Sequence, residues 1–235
     1  MDTTPRLRTS PDPVKDEFYS GLVERCVSEI VSSLGESRVR ALLMIGAPAR
    51  SEVTVTATPD GMFSLSDIDL VCVCRGESVD GSLRLPLREA VSALNRELGD
   101  RGSGVDVSLK SERQLASPSE LISSYEMVRS PVVVYGDRRV ASILGDVDIF
   151  EIPKSESLVL LHNRILEQLL HRPADDQPTF VNSLFSLYAT AKLVLDAITA
   201  HLFLRNQVPT GFRERVDYFM EDVLERRESA GLRDA

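Results

Sequence analysis

The run SLSDIDLVCV, Ser64–Val73, limits the fold more than any other stretch. A short, nearly continuous apolar run of this length reads as a buried strand. Yet it opens with two carboxylates, Asp67 and Asp69, one residue apart. Side chains of a strand alternate between faces, so these two acids point one way while Ile68 and Leu70 point the other. Like charges this close repel, and a hard divalent cation that takes oxygen ligands relieves the conflict.

The segments around this strand set the frame. EFYSGLVERCVSEIVSSL carries Phe18, Leu22, Val23, Cys26, Ile30 and Val31 at helical spacing and predicts a helix ended by Gly35. VRALLMIG is a second short apolar run, stopped by Gly46. The small-residue turn GAPARSE follows it, and β-branched residues alternate over 53–58. The turn signal Pro59–Gly61 and the returning segment 62–65 then predict a hairpin inserted before the aspartate strand. LPLREAVSALNRELG predicts a helix with Leu87, Val91, Leu94 and Leu98 on one face. GSGVDVSLK predicts a third main strand. SPSELISSYEMVRS predicts a helix capped by Ser117, and PVVVYGD a fourth strand ending at Gly136.

From about Ile152 the period becomes helical throughout. Leu158, Leu161, Ile165 and Leu169 form one stripe. Two more run from Phe180 to Leu202 and from Phe212 to Val223, with RPADDQP and RNQVPTG as the loops. The expected fold class is α+β: a disordered tail over 1–14, a mixed β-sheet with flanking helices over 15–150, and a helical bundle over 151–235.

Charge narrows the function. The 235 residues carry 36 acids against 27 Lys and Arg, a net charge of −9, so no general basic surface exists for a long nucleic acid. Cys26, Cys72 and Cys74 lack zinc-ligand spacing and read as buried thiols of a reducing, cytoplasmic protein. The N-terminus lacks the apolar core of a secretory signal. The long apolar segment 180–204 is interrupted by Asn182, Lys192, Asp196 and His201, which argues against a membrane span.

A third acid, Asp106, lies between Val105 and Val107 in GVDVSLK. If this strand pairs with the Asp67 strand, three carboxylates share one patch. Two metal ions there could clamp the attacking and leaving oxygens of a phosphoryl displacement. The turn after Gly46 has side chains small enough to bring backbone N–H groups close to a phosphate.

These pieces together resemble the nucleotidyltransferase superfamily that includes DNA polymerase beta, aminoglycoside nucleotidyltransferases and the minimal nucleotidyltransferases. The family pattern is a strand, then G-S-x-A-R-G-E, then S-D-x-D and an apolar tail, then a later strand with a third acid. This chain has GAPARSE at 46–52, SDIDL at 66–70 and VDV at 105–107. The resemblance spans roughly residues 15–137. It departs at Ala47, where the family usually has serine, at Ser51, where glycine is usual, and in a spacer lengthened by the hairpin.

The resemblance implies transfer of a nucleoside monophosphate from an NTP to a hydroxyl acceptor, a small molecule or a protein, with Mg²⁺ or Mn²⁺ as cofactor. It implies that Asp67 and Asp69 bridge the metal ions and that Asp106 binds the catalytic metal and helps deprotonate the acceptor hydroxyl. Gly46, Ala47 and Arg50 would line the triphosphate, and Ser66 would support the loop. Ala47 also admits a non-catalytic nucleotide-binding module or an antitoxin-type partner of another protein. A homo-oligomer or a protein partner fits either reading.

In this superfamily a C-terminal helical region often completes the acceptor pocket. Lys192 lies on an otherwise apolar helix between Tyr188 and Asp196, either as a polar spot facing that pocket or as one half of a surface Lys192–Asp196 pair. Arg164 and His171 have the spacing of the Arg-to-His motif of HEPN ribonucleases, but Ile165 stands where a polar residue is usual, which argues against a nuclease site.

Overall fold

Asp12 starts the first helix. Its side chain accepts from the N–H groups of Val14 (2.9 Å) and Lys15 (3.3 Å), and Pro13 occupies the first helical position, where no N–H is needed. The helix, α1, runs Pro13–Leu34 in the computed structural model, which describes residues 8–59, 61–170 and 180–229. Ordered structure thus begins before residue 15. Thr9 and Ser10 are buried, and both backbone N–H groups donate to Asp16.

The chain divides into two compact units: Met1–Ser119 with Ser123–Val147, and Glu120–Ile122 with Asp148–Ala235. The first unit holds a four-stranded mixed sheet. Its strands are β1 (Val39–Met44), β4 (Ile68–Cys74), β5 (Val105–Ser111) and β6 (Val132–Gly136), in the order β5-β4-β1-β6. β1 pairs antiparallel with β4 and β6, and β4 pairs parallel with β5. A parallel pair needs a crossover, and α3 (Arg84–Leu98) supplies it. The expected hairpin is present as β2 (Val55–Thr58) and β3 (Gly61–Ser64), a separate two-stranded sheet.

The aspartate strand is apolar on both faces because both are covered. Ile68, Leu70, Cys72 and Cys74 join Leu42 and Met44 in a core with Tyr19, Cys26 and Ile30 of α1 and Leu87, Leu94 and Leu98 of α3. Val71 and Val73 face the other way, into a smaller core with Ala41, Leu43, Leu115, Met127 and Val140.

Three local expectations change. The GAPARSE turn contains a short helical turn, α2 (Gly46–Ala49). Ser117 caps no following helix. It ends α4 (Glu112–Ala116), whose own start is Ser111, paired with Gln114 in a capping box, and the next helix, α5, is Ile122–Arg129. Arg138–Ile143 forms a short 3₁₀ segment that hydrophobic periodicity did not signal.

The second unit contains α6 (Ser155–Leu170), α7 (Phe180–Leu204) and α8 (Phe212–Ser229). The fold is α+β, a mixed sheet with helices followed by further helices. The α6 stripe does not face inward: Leu158, Ile165 and Leu169 are exposed. Inward lie Ser157 and the half-buried Arg164, whose Nε donates to Asp196 at 2.6 Å. Buried Arg215 holds the loop after α7, donating to the carbonyls of Pro209 and Thr210 and to Thr199 Oγ1. Among the described residues, one helix segment, Asn182–Leu204, is long and apolar enough to cross a membrane, with mean hydropathy 1.4.

Candidate functional site

The site is built where β1 ends and β4 and β5 begin. Antiparallel and parallel pairing bring these three strand ends to one end of the sheet. In the register of β4 and β5, Asp69 lies directly opposite Asp106. Asp67 precedes Asp69 by two residues and stands immediately before β4. Asp67 and Asp106 are exposed, and Asp69 is half-buried.

Two glycines shape this end. Gly46 closes β1 with φ +72°, a left-handed conformation that favours glycine, and a Cβ there would come 3.2 Å from Asp69 Oδ2. Gly104 lies just before β5, where a Cβ would come 2.8 Å from Asp67 Oδ1. The absence of side chains at 46 and 104 makes the room that Asp69 and Asp67 occupy.

The backbone beneath the acids is tied from several sides. Tyr19 of α1 donates its hydroxyl to the Asp67 carbonyl at 2.7 Å. The Ile68 N–H bonds Gly104 O at 2.7 Å, and the Ile45 N–H bonds Asp69 O at 3.1 Å. Ser66 is buried, and its Oγ accepts from the Thr54 N–H at 2.9 Å. Its own N–H and carbonyl both meet Ser64 Oγ. Ser66 therefore fastens the hairpin to the loop that carries Asp67.

Arg50 sits differently from an open phosphate ligand. Its side chain is buried, and its guanidinium meets Glu52 at 2.8 Å and Glu126 at 3.5 Å. Ala47 is half-buried in the turn, and its carbonyl accepts from the N–H groups of Arg50 and Glu52. Ser51 takes φ +61°, so the position where the family pattern has glycine is left-handed here as well.

Sequence reasoning missed Asn95. Its side-chain amide donates to Val105 O at 3.0 Å and its Oδ1 accepts from Val105 N at 2.8 Å. β5 is an edge strand, so Asn95 stands in for the missing neighbour beside Asp106. An asparagine one position off the Leu87–Leu98 stripe was the available signal. Tyr19 was also missed, although a tyrosine on a buried helical stripe usually carries its hydroxyl to a partner.

In the second unit, Arg164 is bonded to Asp196 and Glu167, while His171 lies outside the described residues. The Lys192 ammonium stands 5.4 Å from the centre of the Tyr188 ring. His201 bonds Asp222 at 2.9 Å and meets Phe219 edge-on.

The sequence matches no family model and no curated protein. Its structure is similar to that of a spectinomycin adenyltransferase from Enterococcus faecialis, crystallised with ATP and spectinomycin. That match has 14% identity, a TM-score of 0.45, and covers 85% of this chain and 96% of that one. A toxin–antitoxin structure with AMP-PNP aligns at 16% identity and TM-score 0.32, over 61% of this chain and 97% of that one. A tri-AMPylated HEPN toxin in complex with MNT antitoxin, from Shewanella oneidensis, aligns at 15% and 0.29, over 63% and 98%. At these identities and scores, the residues of the chain itself decide what it does.

Proposed function

We propose that this chain is a metal-dependent nucleotidyltransferase that moves a nucleoside monophosphate from an NTP to a hydroxyl of a small-molecule or protein acceptor. The observation that carries the reading is the register of two parallel strands, which sets Asp69 opposite Asp106, with Asp67 immediately before the first of them. The Gly46 turn stands directly beside them.

The donor set suits a hard divalent cation: three carboxylates, oxygen only, at one sheet end, with side-chain room made by Gly46 and Gly104. As placed, no group of three or more His, Cys, Asp or Glu among the described residues closes around one point. Asp67, Asp69 and Asp106 would hold Mg²⁺ or Mn²⁺. When bound, the ion neutralises charge on the triphosphate and on the pyrophosphate that leaves.

The protein's own groups do the rest. Gly46 and Ala47 present backbone N–H groups of the opening turn of α2 to the phosphates. Arg50, tied to Glu52 and Glu126, holds that turn in shape. The acceptor oxygen bonds to the α-phosphorus, the bridging P–O bond to the β-phosphate breaks, and pyrophosphate leaves with the electron pair. The hydroxyl proton passes to Asp106. Catalysis is chiefly positioning and charge stabilisation.

The test is pyrophosphate release from labelled NTPs with Mg²⁺ and a metabolite pool, comparing wild type with Asp67→Ala and Asp69→Ala. Each variant is expected to lose at least about 100-fold in rate. Equal nucleotide binding by wild type and both variants would sink the assigned site. A second reading, a non-catalytic nucleotide-binding or antitoxin-type protein, rests on Ala47 and its missing hydroxyl. Metal-dependent NTP binding without transfer to any acceptor would favour it.

A further inference from the structure

A cavity of about 360 Å³ opens at the β5 edge of the sheet, between β5 and α3. Its apolar walls are Leu87 and Val91 of α3 and Val107 and Leu109 of β5. Two arginines of α3, Arg84 and Arg88, line it together with Asp106. Val107 and Asp106 belong to opposite faces of β5, so the cavity wraps around the edge strand and reaches the acid. Its size is that of a small-molecule site.

The charges in it are unspent. Arg84 and Arg88 are four residues apart, so they stand one above the other on a single helix face. Both are exposed, and among the described residues neither guanidinium has a side-chain partner. Elsewhere in the same unit Arg25, Arg40, Arg50 and Arg139 each meet at least one carboxylate. Asp106 likewise has no side-chain partner among the described residues, so the arginines do not neutralise it. The cavity therefore brings together two cations, apolar walls and the Asp106 carboxylate.

We infer that this cavity binds the acceptor, and that the acceptor is an anionic small molecule carrying a phosphate or carboxylate group as well as the reacting hydroxyl. The inference rests on the nucleotidyl-transfer reading. The anionic group pairs with Arg84 and Arg88, whose planar guanidinium forks match phosphate and carboxylate oxygens. The hydroxyl then lies toward Asp106; its oxygen bonds to the α-phosphorus, the bridging bond to the β-phosphate breaks, pyrophosphate departs and the hydroxyl proton is released. The same two charges repel a polycationic acceptor such as an aminoglycoside.

The test uses four probes sharing one ring on the full chain, read by ligand-observed NMR: phenyl phosphate, benzoate, benzyl alcohol and benzylamine. At least one anion is expected to bind tenfold or more tightly than benzyl alcohol, and benzylamine not at all. The tighter anion identifies the acceptor group. Arg84→Ala and Arg88→Ala should each weaken that anion severalfold, and the double variant should abolish its binding while ATP affinity stays within twofold of wild type. Binding of the neutral or cationic probe as tight as the anions, or full anion binding by the double variant, overturns the inference. So does loss of ATP binding in the double variant, because the arginines would then serve the nucleotide. If anion binding needs the arginines but Asp67→Ala and Asp69→Ala leave ATP binding intact, the anion site stands and the transfer reading falls.

Discussion

Replacing Gly104 with alanine should separate activity from stability. The backbone at 104 is not left-handed, so alanine is conformationally acceptable. Its Cβ, however, would come 2.8 Å from Asp67 Oδ1, against 3.4 Å for ordinary contact, so the carboxylate must retreat by about 0.6 Å. The atom displaced is the tip of a flexible side chain. Turning it off its preferred rotamer costs about 0.5–1.5 kcal/mol. Removing a glycine from the unfolded chain returns about 0.4–1 kcal/mol. Stability should therefore change by less than about 1 kcal/mol, or roughly 2–4 °C in Tm for a chain of this size. The chemistry is less tolerant. Catalytic groups need placement to within about 0.5 Å, and a 1 Å error costs about 100-fold, so transfer should slow by about 10- to 100-fold. Thermal melts and initial rates of pyrophosphate release measure the two halves. A Gly104→Ala protein that transfers at the wild-type rate would show that the Asp67 carboxylate need not stand where the structure puts it. One that loses several kcal/mol would show that Gly104 serves the backbone instead.

Asn95→Ala should cost about 1–2 kcal/mol by removing both bonds to Val105, and should lower the transfer rate through Asp106; an unchanged urea midpoint would refute the first part. Cys26 is pushed up to about 12 by burial, and Cys72 is raised by its hydrogen bond to Cys74 and by burial. Native protein should therefore resist iodoacetamide at pH 8 while urea-unfolded protein labels at all three thiols, and rapid native labelling of Cys26 or Cys72 would contradict this. Asp137 and Asp222 are held below the ordinary carboxylate value of 3.8, Asp137 chiefly by its bond from Arg139 and Asp222 chiefly by His201. Depressed carboxylates contribute stability that is complete above that value and is lost as pH falls through their lower folded values. The urea midpoint should hold down to about pH 5 and then drop on further acidification, and a midpoint flat to about pH 2.5 would count against these contacts.

The aspartate strand was legible because its signal is local. Apolar residues at consecutive positions and two acids at alternate ones need no tertiary information to read. The pairing of Asp69 with Asp106 was legible only as a condition, since 36 residues separate the two and register depends on the whole sheet. Asn95 could be noticed beside its apolar stripe, but its role could not be read for the same reason: that role exists only because β5 is an edge strand. The stripe over α6 misled in another way. Periodicity reports that one helix face is apolar, not that it turns inward, and Leu158, Ile165 and Leu169 lie outward while Arg164 satisfies Asp196 on the inner side.

Ala47 stands out in the sequence as a missing hydroxyl, and the structure separates two consequences that this could have. One is collapse of the turn. The turn does not depend on a side chain at 47: the Ala47 carbonyl takes the N–H groups of Arg50 and Glu52, and Arg50 is pinned by two carboxylates. Ser51 Oγ donates to Arg8 O at 2.6 Å, which fastens the segment before α1 onto the turn. The other consequence is fewer donors for a bound phosphate. That loss leaves the carboxylate end of the site untouched, because Asp69 is placed by β-sheet register and Asp67 by Tyr19, Ser66 and Gly104. Alanine at this position should weaken nucleotide affinity while sparing the geometry of transfer. The acids and the turn are built independently, and their contributions can be measured apart.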